Sequence, residues 1–132
     1  MFKITPIQNQ KEQIEVAEQC GTTLKEGAFA YAMRDAESGD LMGFSQFEIG
    51  SKGGILLDLR PAGEIDDYEA MFILGRATMN FIDLCGSHTL YASADASDIT
   101  LLRAIGLKPT EDGAFYCDMT GFFDGSHCSG HK

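Results

Sequence analysis

Two stretches of the chain alternate large and small or apolar and polar side chains with a period of two, which predicts β-strands. Residues Ala28–Arg34 set aromatic and methionine side chains against alanines, and residues Leu41–Ile49 alternate again after a turn rich in Asp, Ser and Gly. The two stretches predict an antiparallel hairpin whose alanine face packs closely against another element. Residues Phe2–Thr5 predict a short first strand.

Apolar residues at helical spacing predict three helices, over about residues 9–21, 66–85 and 97–105. The second is the longest and the most apolar. Asp66 and Glu69 have the spacing of a capping pair, in which each side chain satisfies a backbone N–H at the helix start. We therefore expect the second helix to begin at Asp66 and to be largely buried.

Three further apolar runs complete the predicted sheet, over Ile55–Leu59, Thr89–Ala94 and Ala114–Met119. A strand, a long helix and a strand in this order predict a right-handed parallel crossover. The fold class is therefore a mixed α/β sheet with an antiparallel N-terminal part, a parallel central pair and an antiparallel C-terminal hairpin. We expect one domain over residues 1–120 and a C-terminal tail over residues 121–132.

The composition narrows the choice of partners. The chain has 132 residues, 44% of them hydrophobic, and a net charge of -10, which disfavours nucleic acid. The same charge would favour a cationic or amine substrate, although an acidic surface more often only keeps a protein in solution. No apolar run approaches the roughly 20 residues that span a bilayer, and the N-terminus lacks the pattern of a secretory signal. We expect a cytoplasmic protein with no membrane contact and a possible homodimer. The four cysteines form no CxxC pair, which predicts free thiols.

The tail contains His127, Cys128 and His131, whose imidazoles and thiolate are ligands that zinc or copper accepts. Only three ligands are present, and a C-terminus rich in glycine and serine is more often a frayed end. Metal sensing or storage by the tail is therefore the weakest of the functional hypotheses, and no metal site is predicted.

The run Leu101–Pro109 reads as a short helix, a glycine and a strand, and with the order of elements over residues 1–119 it resembles the GNAT N-acetyltransferase superfamily. The resemblance implies an acyl-CoA-dependent N-acetyltransferase acting on a small amine, with acetyl-CoA as cosubstrate. It places the cosubstrate between the strands that end near Leu59 and Ala94, with its pyrophosphate at the start of the second helix. The implied cofactor-binding residues are Leu59, Arg60, Ala62, Gly63 and Ile65.

The chain departs from the family's phosphate-binding pattern, Arg/Gln-x-x-Gly-x-Gly/Ala. In alignment its three defined positions fall on Glu64, Asp67 and Glu69, and a shifted register retains only Arg60 and Gly63. Carboxylates at a helix start repel a pyrophosphate, which otherwise binds the free N–H groups there. The alternative function is therefore a non-enzymatic GNAT-fold module for ligand binding or dimerisation that has lost coenzyme A.

Amine acetylation needs a base for the ammonium proton. Asp58 interrupts an apolar strand beside the implied cosubstrate site and is the predicted base, with Glu48 second. Asp58 could instead form an ion pair with Arg60 or Arg34, which is the commoner role of a lone charge in a strand.

The reaction also needs an acid for the departing thiolate. The tyrosine that many family members use falls near Leu102 in this chain. Tyr116 on the last strand is the predicted replacement, with Tyr91 on the middle strand as the other candidate, and each could equally be a core aromatic.

Overall fold

The computed structural model describes residues 1–122, which form seven strands and three helices. The chain order of these elements matches the order that the sequence predicts. Their bounds are β1 (Phe2–Pro6), α1 (Gln10–Gln19), β2 (Phe29–Asp35), β3 (Leu41–Gly50), β4 (Gly53–Pro61), α2 (Tyr68–Leu84), β5 (Thr89–Ala92), α3 (Ile99–Ile105), β6 (Lys108–Pro109) and β7 (Phe115–Asp118).

One sheet contains all seven strands, in the order β1-β2-β3-β4-β5-β7-β6. The pair β4 and β5 is parallel and every other neighbouring pair is antiparallel. The predicted mixed α/β sheet is confirmed, including the antiparallel start, the parallel central pair and the closing hairpin. The strand β7 lies between β5 and β6, so the C-terminal hairpin extends the parallel half of the sheet.

The alanine face of β2 packs against α1, as the small residues predict. Ala30 is buried in a cluster with Val16 and Ala17 of α1, with the C-cap Cys20 and with Phe44 of β3. Side chains larger than alanine would push α1 away from the sheet. The larger cluster of the core lies between the sheet, α2 and α3.

The N-cap of α2 lies one residue after Asp66, the predicted cap. The helix begins at Tyr68, and its N-cap is Asp67, whose carboxylate accepts a hydrogen bond of 3.0 Å from the N–H of Ala70. Asp66 is exposed and lies outside the helix. The predicted capping pair of Asp66 and Glu69 is therefore wrong, because the chain offers two neighbouring aspartates and the second one adopts the extended N-cap conformation.

We expect Asp67→Ala to lower the free energy of unfolding by about 1 kcal/mol, the usual value of an N-cap. Urea denaturation would measure this change. The matched control is Asp66→Ala, which removes a neighbouring carboxylate without removing a cap and should change stability by less than about 0.5 kcal/mol. A larger loss for Asp66→Ala than for Asp67→Ala would contradict this assignment.

Candidate functional site

The two parallel strands separate at the place where the sequence predicts the cosubstrate. Pairing of β4 with β5 covers only three positions, from Gly54 with Leu90 to Leu56 with Ala92. The strand β5 ends at Ala92, two residues earlier than predicted, whereas β4 continues to Pro61. Within β4 the register against β3 shifts between Leu56 and Asp58, which leaves Leu57 as the extra residue of a β-bulge.

Beyond this separation a segment of the β5–α3 connection lies against β4. The N–H of Leu59 donates to the carbonyl oxygen of Ala96 at 2.8 Å, and the hydroxyl of Ser97 donates to the carbonyl oxygen of Leu59 at 2.6 Å. Arg60 adds a third contact, because its Nη2 donates to the carbonyl oxygen of Asp95 at 2.6 Å. We call residues Asp95–Ser97 the strap. Both backbone polar groups of Leu59 are bonded to it.

A cleft of about 390 Å³ lies at the start of α2. Four of the five predicted cofactor-binding residues line it, and the fifth, Ala62, is buried in the cluster beneath α1. The cleft is therefore located where the resemblance puts the pyrophosphate. Its lining residues are Cys20, Leu59, Arg60, Pro61, Gly63, Ile65, Asp66, Asp67, Tyr68, Met71, Ser97, Asp98 and Leu101.

The charge of the cleft does not favour an anion. Its lining includes three carboxylates, from Asp66, Asp67 and Asp98, and one guanidinium, from Arg60. The partial positive charge at the start of α2 acts in the opposite direction, since a helix N-terminus attracts anions. Burial raises the pKa of the Cys20 thiol to about 12, so this wall of the cleft stays uncharged at neutral pH.

The backbone of the β4–α2 connection also offers few free donors. The N–H of Gly63 donates to the carbonyl oxygen of Gln19, and the N–H of Ile65 donates to the carbonyl oxygen of Ala62, each at 2.9 Å. A phosphate-binding loop leaves such groups free to point at the ligand. Two N–H groups of the connection between β4 and α2 are therefore already bonded to backbone carbonyls and are not free for a phosphate.

A second cavity, of about 330 Å³, lies on the side of β4 that faces the Thr22–Gly27 loop. It shares Arg60 with the cleft. Its lining adds Lys25 from that loop and Asp95 from the strap, so both charge signs are present. The complete lining is Lys25, Ile55, Leu56, Leu57, Asp58, Arg60, Ser93 and Asp95.

Asp58 is fully buried at the edge of this second cavity and accepts four hydrogen bonds. One oxygen accepts from the Nε of Arg60 at 2.7 Å and from the hydroxyl of Thr22 at 3.1 Å. The other accepts from Nζ of Lys25 at 2.8 Å and from the amide of Gln46 at 2.9 Å. A carboxylate has about four lone-pair sites, so all of them are in use.

This arrangement bears on the predicted catalytic role of Asp58, which stays a prediction. Of the two ion pairs expected from the sequence, the one with Arg60 forms, at 2.7 Å. The second pair, with Lys25 at 2.8 Å, was not predicted. With every lone pair occupied, the carboxylate could take a substrate proton only after one donor leaves. The geometry favours a role for Asp58 in holding Lys25 and Arg60 beside the cavity.

The sequence contains a signal for one of the missed partners. Gln46 interrupts the apolar pattern of β3, as Asp58 does in β4, and the two residues lie opposite each other in the antiparallel register. A hairpin register counted from the Gly50–Gly53 turn would have paired them approximately. Lys25 carries no such signal, because it lies in an irregular loop whose path the local sequence does not define.

Tyr116 and Tyr91 face each other on neighbouring strands, with ring centroids 4.9 Å apart. Desolvation raises the pKa of Tyr116 above its ordinary value, and the nearby Asp118 raises it further, so the phenol stays protonated at neutral pH. Tyr91 lies opposite Ile55, and Asp58 lies three residues further along β4, or about 10 Å. The fold does not bring the predicted acid and the predicted base together, and the acid role of Tyr116 stays a prediction.

Several other predictions concern the cysteines, metal binding and the membrane. Cys20, Cys85 and Cys117 are free thiols. Among residues 1–122, no three metal-ligating side chains come together, and no helix has the length and apolarity needed to cross a membrane. The tail residues His127, Cys128 and His131 lie outside the described residues.

Comparison with known proteins relates this architecture to acetyltransferases. No family model and no curated protein matches the chain. The ribosomal-protein-S18-alanine N-acetyltransferase from Escherichia coli is similar in structure, with a TM-score of 0.68 and 13% identity over 90% of this chain and 94% of that one. An IAA acetyltransferase from Bacillus cereus has a TM-score of 0.63 at 14% identity, over 84% and 79% of the two chains.

A putative N-acetyltransferase from Escherichia coli, bound to coenzyme A, has a TM-score of 0.62 at 14% identity over 89% of this chain and 98% of that one. At these identities the likeness shows the fold, and the chain has the GNAT fold. Activity does not follow from fold, because unrelated functions recur on one architecture.

Proposed function

We propose that this chain is an acyl-CoA-dependent N-acetyltransferase acting on a small amine. One observation carries the proposal: two cavities share Arg60 in their linings, at the part of β4 that has separated from β5. The cleft at the start of α2 would hold the acyl donor. The cavity beside Lys25 and Asp58 would hold the amine, so the two substrates would approach β4 from different sides.

The fold supports the donor half of this proposal. A neighbour of the same fold is known bound to coenzyme A, and the cleft occupies the start of α2, where the helix dipole favours phosphate. Arg60 would supply the positive charge. Because three carboxylates line the same cleft, we expect weaker donor binding than a glycine-rich loop gives.

The acceptor half rests on charge. A net charge of -10 attracts a cationic amine over long range, and Asp95 places a carboxylate in the lining of the second cavity. Acetyl transfer forms an N–C bond and breaks the thioester C–S bond, and the ammonium loses two protons, one to the departing thiolate and one to the solvent. We propose that Asp58 positions Lys25 and Arg60 for this step. The identity of the amine, a homodimer and a cytoplasmic location stay predictions.

Calorimetric titration of the purified protein with acetyl-CoA tests the proposal. Heat with a dissociation constant below about 1 mM at 0.1 M salt supports it, and no heat at near-millimolar ligand overturns it. The variant Asp66→Asn removes one carboxylate from the cleft and should tighten binding about two- to fivefold at low salt.

The matched control for that variant is Glu69→Gln. Glu69 belongs to the first turn of α2 but does not line the cleft. Its replacement should leave the affinity within about twofold of the wild type, and the gain of Asp66→Asn should shrink as salt rises. Equal effects of the two variants would show that the net charge of the protein, rather than the cleft, governs binding.

The second candidate function is a non-enzymatic module that has lost coenzyme A. The specific observation in its favour is that Leu59 already bonds to the strap while Gly63 and Ile65 bond to other backbone carbonyls. The same titration decides between the two functions, because the module would give no heat with acetyl-CoA and no acetylated amine.

A further inference from the structure

The strap uses the hydrogen-bonding groups that an extended ligand along β4 would need. Past Leu56 the strand β4 has no β5 partner, so its edge could accept another extended chain, as sheet edges commonly do. The N–H and the carbonyl oxygen of Leu59 both point toward this open side, and both are bonded, to Ala96 and Ser97. A ligand arm carrying amide groups would compete for the same two atoms.

We propose that the strap is an intramolecular gate, which must leave Leu59 before an acyl donor can lie along β4. This proposal rests on the proposed acyl-CoA-dependent function. The gate is held by the bonds of Leu59 to Ala96 and Ser97 and by the bond of Arg60 to Asp95.

The strap is built so that it can move without unfolding the protein. Its apolar attachment to the core is the methyl group of Ala96, which is fully buried, while Asp95 is exposed and Ser97 is half-buried. The two residues before it, Ser93 and Ala94, are exposed as well, and α3 begins only after its cap at Asp98. A short exposed connection with one buried methyl group loses little contact area on opening.

Arg60 couples the gate to both cavities. Its Nε bonds to Asp58 at 2.7 Å and its Nη2 to the strap at 2.6 Å, while its side chain lines the cleft and the second cavity. An anionic group entering the cleft would compete with the carbonyl oxygen of Asp95 for this guanidinium. Donor binding and strap release would therefore favour each other.

The test compares acetyl-CoA binding to the wild type with binding to Ser97→Ala, by calorimetry. Removing the hydroxyl deletes one strap bond, so the affinity of Ser97→Ala should rise about fivefold. Ser97→Thr keeps a hydroxyl for the bond to Leu59 and should not show this gain. Ser51→Ala, an exposed serine in the β3–β4 turn, is the control for serine replacement and should change nothing.

Hydrogen exchange of the Leu59 amide, followed by NMR without ligand, reports on the strap itself. Exchange should be slow in the wild type and several-fold faster in Ser97→Ala. If the wild type binds acetyl-CoA and Ser97→Ala binds no better, although its Leu59 amide exchanges faster, the gate is wrong and the proposed function stands. If neither the wild type nor Ser97→Ala binds acetyl-CoA at near-millimolar ligand, although the Leu59 amide of Ser97→Ala exchanges faster, the gate and the proposed function are both wrong. Unchanged exchange in Ser97→Ala overturns the gate alone.

Discussion

Replacing Phe47 with alanine is expected to lower the free energy of unfolding by about 4 kcal/mol, within the range for removing a buried phenylalanine. Phe47 is 1% exposed and contacts three other rings, those of Phe29, Tyr31 and Phe81, each with its centroid 5.8 Å away. Alanine would leave a cavity between β3 and the C-terminal half of α2. Typical domains have only about 5–15 kcal/mol of stability, so the loss should be visible as a much lower urea midpoint.

The matched control is Phe29→Ala, which removes a ring of the same cluster at its exposed edge. Phe29 is 52% exposed, so water can fill the space that its ring leaves. We expect a loss of about 1 kcal/mol, from two ring contacts and a partly buried side chain. Equal losses for the two variants would mean that the cluster is not packed around Phe47.

The sheet could be predicted from the sequence because each strand carries its own pattern. The alanines of β2 predicted close packing, and Ala30 does pack against α1. The apolar run Ile55–Leu59 predicted a strand, and β4 forms there, with Leu56 and Leu59 2% and 0% exposed. These are local signals, since a period of two and a buried run depend only on neighbouring residues.

The site was predicted less well because its contacts join distant parts of the chain. The bond between Leu59 and Ala96 joins residues whose encounter depends on where β5 ends, and that end came two residues earlier than its apolar pattern indicated. Lys25 reaches Asp58 from an irregular loop. Neither contact leaves a mark in the local sequence, because alanine, serine and lysine are common in ordinary connections.

The sequence predicted that carboxylates at the start of α2 would weaken phosphate binding, and the structure shows which of them line the cleft. Of the four carboxylates around the start of α2, Asp66 and Asp67 line the cleft, whereas Glu64 and Glu69 do not. Asp98, the N-cap of α3, lines the cleft as well, so three carboxylates face a donor there and one of them comes from a different helix. The strap, which the sequence did not predict, is the second obstacle to a donor at β4.

The buried carboxylate of Asp58 connects the second cavity with the strap. Asp58 fixes Lys25, which lines the second cavity, and Arg60, which lines both cavities and contacts the strap. A single charge at the bulge of β4 thus orders the loop before β2, the second cavity and the gate. This is a positioning role, and it needs the carboxylate to stay bonded rather than to exchange protons.

We expect Asp58→Asn to lower the free energy of unfolding by about 3 kcal/mol, near the lower end for breaking a buried ion pair. Asparagine lacks the negative charge that pairs with Lys25 and Arg60. Its NH₂ group is a donor and would face other donors, where the carboxylate oxygen had accepted their hydrogen bonds. The loss stays near the lower end because the side chains of Lys25 and Arg60 are 38% and 32% exposed and can turn toward water. Urea denaturation would measure the change.

The control for Asp58→Asn is Glu48→Gln, which neutralises a half-buried carboxylate on the adjacent strand and should change stability by less than about 0.5 kcal/mol. A loss below about 1 kcal/mol for Asp58→Asn would contradict the positioning role. If the wild type transfers acetyl groups, the turnover of the folded Asp58→Asn molecules also tests whether Asp58 is the base. Retained turnover per folded molecule excludes Asp58 as the base. Abolished turnover with an unchanged affinity for acetyl-CoA is expected both of a base and of a positioning residue, because Asp58→Asn also removes the carboxylate that holds Lys25 and Arg60.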